Sequence, residues 1–240
     1  MKTHRILNPI AIFLVLLVGV ITSLGVTASA QVELRPNLQP LPAWNITLSN
    51  GLLSFNTTSW NSGIGPLELI AGKANNRAKK QKVYQRVYYS NGTHVDYLAG
   101  DFVWHKSHNH FHFEQYARYT LQLASAPAQS QRTSEKTTFC VMDTTSVNTS
   151  LSGAPSNAFY STCGNVKQGM SVGWGDTYGS YLAGQSIDVT GLDDGVYNLI
   201  IQIDPQSRLL ELDDTDNSSC VLLDLSIRNS TVNLHGDGRC

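Results

Sequence analysis

The sequence predicts an all-β protein: an antiparallel β-sandwich with long functional loops and little helix. Three observations favour this fold. No long Ala/Glu/Lys/Leu stretch suggests a helical bundle. Val, Thr, Ile and Tyr, which fit a pleated and half-buried surface, recur in short runs. Several of these runs alternate apolar with polar residues and are separated by turn residues, which is the pattern of strands that bury one face.

The composition excludes several classes of protein. Hydrophobic residues make up 41% and charged residues 15% of the 240-residue chain, whereas a disordered chain needs high charge and few apolar groups. The formal net charge of −1 argues against a nucleic-acid-binding protein, which would show a basic excess. A single β-sandwich can account for this length, so we predict one domain.

The first thirty residues have the layout of a secretory signal peptide. A basic start leads into an apolar run from Ile10 to Ile21, and the small residues Ala28-Ser29-Ala30 form a cleavage site. We therefore predict a signal peptide over 1–30 and a mature domain over 31–240 that is secreted and, after cleavage, free of the membrane. The alternative is an uncleaved anchor, because the apolar window can be extended to about 17 residues, the short limit for a span.

All four cysteines lie in the predicted mature domain, which agrees with export to an oxidising compartment. Four cysteines allow three pairings. Proximity along the chain favours the pairs Cys140–Cys163 and Cys220–Cys240. Because no C-x-x-C spacing occurs, the cysteines are a weak candidate for a metal site.

The strands are predicted from their alternation and from the turns between them. In chain order they cover 53–60, 67–70, 83–89, 93–97, 196–204, 209–213 and 221–227. Asn91-Gly92 is the strongest hairpin signal, since both residues accept the positive φ of a tight turn. The last three strands, with turn residues between them, predict an antiparallel meander. The polar stretches 125–134 and 144–162 lack periodicity and predict long functional loops.

Four of the seven histidines lie within eight residues: His105, His108, His110 and His112. Alternate residues of a strand point to one side, so the last three are predicted to share a face, roughly 6.7 Å apart on an ideal strand that should bend there. Phe111 and Phe113 alternate to the opposite face and anchor the strand in the core. Three neutral imidazoles suit copper, zinc or iron, and export favours the first two. His105 is predicted to be a hydrogen-bond partner beside this metal site.

Further segments follow the order of the landmarks of a known family. They are Ser54-Phe55, Trp60 to Gly63, Gly65 to Leu69, Trp104-His105, His108 to His112, Tyr116 to Tyr119, Lys136 to Asp143, Gln168-Gly169, Asp176 to Tyr178, Asp188 to Thr190, Gly195 to Tyr197, Asp204-Pro205 and Glu211. With this ordered set, the chain resembles the catalytic domain of the lysyl oxidases, in the compact form found in microbial homologues. The resemblance runs from about Arg35 to Ile227.

The resemblance implies a copper amine oxidase that carries the cofactor lysine tyrosylquinone. His108, His110 and His112 match the copper ligands, and Lys136 and Tyr178 match the residues that are cross-linked to form the quinone. Such an enzyme oxidises a primary amine, either a small amine or a lysine side chain of a protein substrate, to an aldehyde. Dioxygen is the acceptor, and ammonia and hydrogen peroxide are released.

The resemblance implies one further detail of the site, and the chemistry of the reaction indicates two more. Cys140 and Cys163 match a disulfide of the family. Asp176, two residues before Tyr178, is a candidate for the base that removes the α-proton of the amine. A lysine amine can add to a quinone only when it is neutral, so burial and the copper ion should lower the Lys136 pKa from the usual value of about 10.4.

Two other functions remain open. An exported β-sandwich could hold copper or zinc structurally, or act as a cell-surface adhesion module, and it would have no use for the quinone cross-link. The second alternative is a cupin-like metalloenzyme, because His108, His110 and Glu114 have the spacing H-x-H-x-x-x-E. A cupin needs a further histidine on a later strand, and the only one downstream is His235.

Overall fold

Antiparallel strands form the regular structure in the part of the chain that the computed structural model describes, residues 31–73, 79–106, 108–128, 131–134 and 136–240. None of these residues is helical, so none of them belongs to a helix that could cross a membrane. The predicted all-β sandwich with little helix is confirmed. The predicted signal peptide lies outside the described residues.

Three antiparallel sheets contain the strands of the described residues. In chain order the strands are β1 (Glu33–Leu34), β2 (Leu38–Pro40), β3 (Trp44–Ser49), β4 (Leu52–Asn61), β5 (Leu67–Ala71), β6 (Lys80–Tyr89), β7 (His94–His105), β8 (His110–Glu114), β9 (Ala117–Leu123), β10 (Gln131–Thr133), β11 (Thr138–Phe139), β12 (Thr145–Ser146), β13 (Lys167–Met170), β14 (Trp174–Tyr178), β15 (Ser186–Asp188), β16 (Gly195–Ile203), β17 (Ser218–Ser226) and β18 (Thr231–Leu234). The first sheet has the order β11-β8-β7-β6-β5-β13, with β1 beside β6. The second has the order β10-β9-β16-β17-β18, and the third β12-β14-β4-β15, with β2 and β3 also paired with β4.

The first sheet is built around the hairpin of β6 and β7, which the turn signal at Asn91-Gly92 predicted. Gly92 has a φ of +83°, which glycine accepts without strain. β7 continues beyond its predicted end to His105, and β8 returns beside it with Phe102 opposite Phe113. These two rings are buried and meet edge to face at 6.3 Å. The inner face of the sheet therefore anchors β8, the strand of two predicted metal ligands.

The predicted three-stranded meander is wrong in its middle strand. In the second sheet, β16 pairs directly with β17. Residues 209–213 form no strand. Instead, Leu210 N donates a hydrogen bond to Gln85 Oε1, and Leu212 N donates to the Pro36 carbonyl. Both acceptors lie outside the second sheet, since Gln85 belongs to β6 of the first sheet and Pro36 to the connection between β1 and β2. This segment therefore makes these backbone hydrogen bonds away from the sheet in which the meander was predicted. The alternation of Leu210 and Leu212 therefore does not indicate a strand here.

The predicted disulfides Cys140–Cys163 and Cys220–Cys240 are both present. The first spans the predicted long loop 144–162, whose only regular structure is the two-residue strand β12. This bridge holds the chain just after β11 close to the chain just before β13, with 5.4 Å between the two Cα atoms. The loop is therefore fixed at both ends.

An aromatic cluster links the third sheet to the first and second. β14 pairs with β4 and sets Tyr178 opposite Thr57. The Tyr178 ring meets Phe139 edge to face at 4.9 Å, and Phe139 in turn lies 5.7 Å from Tyr116 and 5.9 Å from Tyr119. Edge-to-face pairs of this kind contribute about 0.5–1.5 kcal/mol each beyond burial alone. The cluster places Tyr178 beside β11, the strand that pairs with β8.

Candidate active site

The histidine cluster is made by a tight turn between β7 and β8. His105 ends β7 and pairs with His110, which begins β8. The turn is closed by hydrogen bonds to the His105 carbonyl from His108 N (3.2 Å) and Asn109 N (2.9 Å). Asn109 has a φ of +57°, a conformation that asparagine tolerates better than most residues. The prediction that His108 lies on the same strand face as His110 and His112 is therefore wrong: His108 belongs to the turn, and the reversal of the chain brings it back over the strand.

Nitrogen atoms of the three predicted ligands nevertheless converge. His112 Nε2 lies 2.9 Å from His110 Nε2 and 3.3 Å from His108 Nδ1. An ion bound at roughly 2.0 Å by each imidazole would set neighbouring nitrogens about 3 Å apart. His105 also belongs to the cluster, because His105, His108 and His112 each offer a nitrogen within 4.8 Å of the others. The assignment of three ligands and one accessory histidine stays a prediction.

The electrostatics of the cluster favour the form of histidine that binds metals. His112 is 2% exposed, and its burial, together with the neighbouring histidines, lowers its pKa to about 3. Burial also lowers the pKa of His108 and of His110. All three imidazoles are therefore neutral at neutral pH, with a lone pair free to coordinate an ion.

Lys136 and Tyr178 lie together next to this cluster. The Lys136 Nζ lies 4.3 Å from the centroid of the Tyr178 ring and 5.0 Å from that of Phe139. The Tyr178 hydroxyl donates a 2.7 Å hydrogen bond to the Cys140 carbonyl, which fixes the position of the ring. The two predicted cofactor residues, distant in sequence, are thus brought within reach of one another by β11 and β14.

The charge of Lys136 is perturbed by its surroundings. Burial lowers its pKa to about 8, and this effect outweighs that of Asp176, which acts to raise it. Within the described residues, the buried Lys136 Nζ makes no hydrogen bond. A substantial fraction of this amine is therefore neutral and nucleophilic near pH 8, as a cross-linking lysine requires.

Asp176 lies two residues before Tyr178, on the same face of β14. It is 2% exposed, and burial raises its pKa well above the usual range. Its Oδ1 accepts a hydrogen bond from Thr144 Oγ1 at 3.3 Å, whereas its Oδ2 has no hydrogen-bond partner among the described residues. Asp176 and Tyr178 line a small internal void of about 10 Å³. The structure thus brings Asp176 to Tyr178 but not to the wall of the cleft that contains the histidines.

That cleft has a volume of about 240 Å³ and is lined by Lys136, Thr138, Gly184 and histidines of the cluster. Two larger clefts, of about 320 and 410 Å³, contain none of the predicted site residues. The chemistry of the lining, rather than cavity size, therefore identifies the candidate site.

Sequence reasoning missed three residues that shape this cleft. Ser134 Oγ accepts a hydrogen bond from Lys136 N at 3.1 Å and donates one to the Gly184 carbonyl at 3.2 Å. Thr138 Oγ1 lies 3.1 Å from His112 Nδ1. The spacing of Thr138 from Lys136 was visible in the sequence, but its contact with His112 depends on the pairing of β11 with β8, for which no local signal exists.

Comparisons with known proteins identify the family of this chain. A protein-family model described as "Lysyl oxidase" matches residues 89–235, more than half of the chain and all of the predicted site residues. Lysyl oxidase homolog 1 of Homo sapiens is 31% identical over 115 residues, which are 48% of this chain and 19% of that protein. Protein-lysine 6-oxidase of Homo sapiens is 32% identical over 117 residues, 48% of this chain and 26% of that protein. The match thus spans about a fifth to a quarter of the length of these relatives.

Proposed function

The chain belongs to the lysyl oxidase family, and we propose that it is a secreted, copper-dependent amine oxidase of the lysyl oxidase type. It oxidises primary amines, as small amines or as lysine side chains of proteins, to aldehydes, with dioxygen as the acceptor and ammonia and hydrogen peroxide as products. The observation that carries this proposal is the position of Lys136, whose Nζ lies 4.3 Å from the Tyr178 ring centroid at the cleft that contains the histidines.

His108, His110 and His112 are the proposed copper ligands. The 2.9 and 3.3 Å separations of their nitrogens suit one ion, and neutral imidazoles are good ligands for copper. Copper and lysine tyrosylquinone would supply the electron acceptor for the amine and the route of electrons to dioxygen, which ordinary side chains do not offer. Lys136 and Tyr178 are the proposed precursors of that quinone.

Lys136 and Tyr178 are suited to a covalent link by their surroundings. Burial lowers the pKa of Lys136 to about 8, so the amine is available in its neutral form. The hydrogen bond from the Tyr178 hydroxyl to the Cys140 carbonyl holds the ring, while Phe139 packs against its edge. Cross-linking therefore requires little movement of the tyrosine and a short displacement of the lysine.

Asp176 is the proposed general base, and its Oδ2 is the atom that would take the α-proton of the amine. Burial raises its pKa, which makes its ionised form a stronger base than an exposed carboxylate. Its position on β14, on the same face as Tyr178, puts it next to the ring on which the substrate amine would react.

Secretion and the domain boundaries belong to the same proposal. Residues 1–30 are proposed to be a cleaved signal peptide, and 31–240 to be the catalytic domain. Two disulfides support an oxidising compartment, because such bonds persist mainly in exported proteins.

A non-catalytic metal-binding module is the second candidate, because a cluster of converging histidines would also suit a structural zinc ion. It leaves the buried Lys136 next to Tyr178 without a role. The cupin-like alternative has no geometric support: His235 is exposed and its Nδ1 lies 2.9 Å from Asp224 Oδ1, while Glu114 pairs with Lys80 at 2.6 Å.

The test is reconstitution of the metal-free protein with copper in air. The wild-type protein should gain a visible quinone absorbance, react with phenylhydrazine and produce peroxide from a simple primary amine. Lys136→Ala and Tyr178→Phe should each abolish all three signals and leave copper bound, because neither residue is a proposed ligand.

Two matched substitutions control for the loss of any lysine or tyrosine. Lys79→Ala and Tyr181→Phe change exposed residues outside the proposed machinery, and both variants should keep all three signals. If the wild-type protein binds copper but stays colourless and inert to phenylhydrazine, the oxidase assignment fails and the metal-binding module takes its place.

A further inference from the structure

Thr138 lies next to His112, the most buried of the proposed copper ligands. It begins β11, whose antiparallel pairing with β8 sets Phe139 opposite Phe113. Through this pairing, Thr138 Oγ1 comes within 3.1 Å of His112 Nδ1. The hydroxyl therefore contacts the imidazole at the nitrogen that is not directed at the other histidines.

The opposite nitrogen of His112 determines the direction of this hydrogen bond. His112 Nε2 is the atom at which the cluster converges, 2.9 Å from His110 Nε2 and 3.3 Å from His108 Nδ1. A neutral imidazole carries one N–H, and a nitrogen that binds a metal cannot carry it. When Nε2 faces an ion, the proton is on Nδ1, and the Thr138 hydroxyl is placed to accept it.

We propose that Thr138 is a positioning residue of the metal site: its hydroxyl accepts the Nδ1–H of His112, stabilises the tautomer with a bare Nε2 and holds the ring so that Nε2 meets the other ligands. Hydrogen-bond partners of metal-binding histidines act in this way in other proteins. Thr138 also follows Lys136 by two residues, so one short segment carries both this partner and the proposed cofactor lysine. The inference rests on the proposed function for the identity of the ion, but ligand orientation applies to any ion bound by these imidazoles.

The first experiment measures the affinity of the metal-free protein for Zn²⁺ alone by calorimetry. Thr138→Val keeps the shape of the side chain but removes the hydroxyl, and it should weaken zinc binding about 10- to 100-fold, the range typical when such partners are lost. Thr138→Ala removes the methyl group together with the hydroxyl and should also weaken zinc binding. This second variant keeps the test possible if the valine variant does not fold. Thr138→Ser keeps the hydroxyl and should restore an affinity close to that of the wild type.

Thr137→Val is the matched control. Thr137 lines the same cleft, but within the described residues its side chain makes no hydrogen bond to a histidine nitrogen. This variant should bind zinc as the wild type does. Zinc affinity within threefold of wild type in Thr138→Val would overturn the proposal, as would a serine variant as weak as the valine variant, since packing and not the hydroxyl would then matter.

The second experiment reads the tautomer directly, by ¹H–¹⁵N NMR of the zinc-loaded protein. His112 should carry its proton on Nδ1 in the wild type, and that proton should exchange faster with water in Thr138→Val. A His112 ring with a metal-bound Nδ1 would refute the inference. Zinc cannot generate the quinone, so these results stand apart from the copper test: a protein that never becomes coloured with copper can still confirm the role of Thr138.

Discussion

Lys136 is subject to two opposing influences on its charge. Burial lowers its pKa to about 8, while the nearby Asp176 acts to raise it. The carboxyl is itself buried, and burial raises its pKa, so neither group of the pair is strongly held in its charged form. This balance leaves an amine that can react at a pH where an exposed lysine is protonated. Burial of the amine should also lower the free energy of unfolding of the protein by a measurable amount.

The residue-scale prediction concerns Lys136→Met. A lysine with a lowered pKa in the folded state is more protonated in the unfolded chain between about pH 8 and its ordinary value, so stability rises with pH across that window. The methionine variant should lack this rise and should be more stable than wild type near pH 7. At 1.36 kcal/mol per pKa unit, the lowered pKa of Lys136 corresponds to a loss of stability of at most about 3 kcal/mol. The real loss should be smaller, because the Lys136 side chain is partly exposed and water screens its charge. Denaturant unfolding of both metal-free proteins between pH 7 and 9.5 measures the difference, and parallel stability curves would contradict it.

At the scale of elements, short connections position the residues of the candidate site. The turn between β7 and β8 moves His108 off the strand, and Gly184 lies against Lys136. Gly184 has a φ of +77°, and a Cβ added there would lie 3.1 Å from the Lys136 Cβ. Alternation along a strand could predict that His110 and His112 share a face. It could not predict the turn, because Asn109, which adopts a positive φ there, belongs to a residue type that is common in loops of every kind.

Gly184→Ala should therefore have two effects. The methyl group is strained by the positive φ, at about 1–2 kcal/mol, and it displaces Lys136 from the Tyr178 ring, which should slow formation of the cross-link. Gly191→Ala is the control, since Gly191 has the same φ of +77° but an added Cβ meets no atom within 4 Å. Thermal unfolding should show a similar loss in both variants, while peptide mapping after copper treatment should show less cross-link only in Gly184→Ala. Equal cross-linking in the two variants would show that Gly184 does not hold the lysine.

At the scale of the whole molecule, alternation and turn residues predicted some of the strands, whereas the ordered series of family landmarks predicted which distant residues meet. Alternation and turn residues predicted the hairpin of β6 and β7 and the strands β16 and β17, because these depend on neighbours in sequence. The same signal failed at 209–213, where the Gln85 side chain and the Pro36 carbonyl, both outside the second sheet, accept the backbone hydrogen bonds. The approach of Lys136 to Tyr178 depends on the pairing of β11 with β8 and of β14 with β4. Only the ordered series of landmarks, not periodicity, could predict that.

The two disulfides allow a test of whether the Cys140–Cys163 bridge positions the proposed cofactor residues or only contributes to the stability of the folded protein. Their sequence separations are similar, 23 for Cys140–Cys163 and 20 for Cys220–Cys240. In the chain-entropy account, removal of either should therefore cost about the same, roughly 3 kcal/mol. Only the first bridge contains the carbonyl that accepts the Tyr178 hydroxyl, at 2.7 Å.

We expect replacement of both cysteines of a pair by serine to separate these roles. At saturating copper and a temperature at which both variants are folded, the variant without Cys140–Cys163 should form the quinone slowly and incompletely, because Tyr178 loses its fixed anchor. The variant without Cys220–Cys240 should form it at nearly the wild-type rate. Quinone absorbance over time is the measurement, with circular dichroism to establish folding. An equal slowing in both variants would mean that stability alone limits cofactor formation, and the anchor at Cys140 would then have no special part in it.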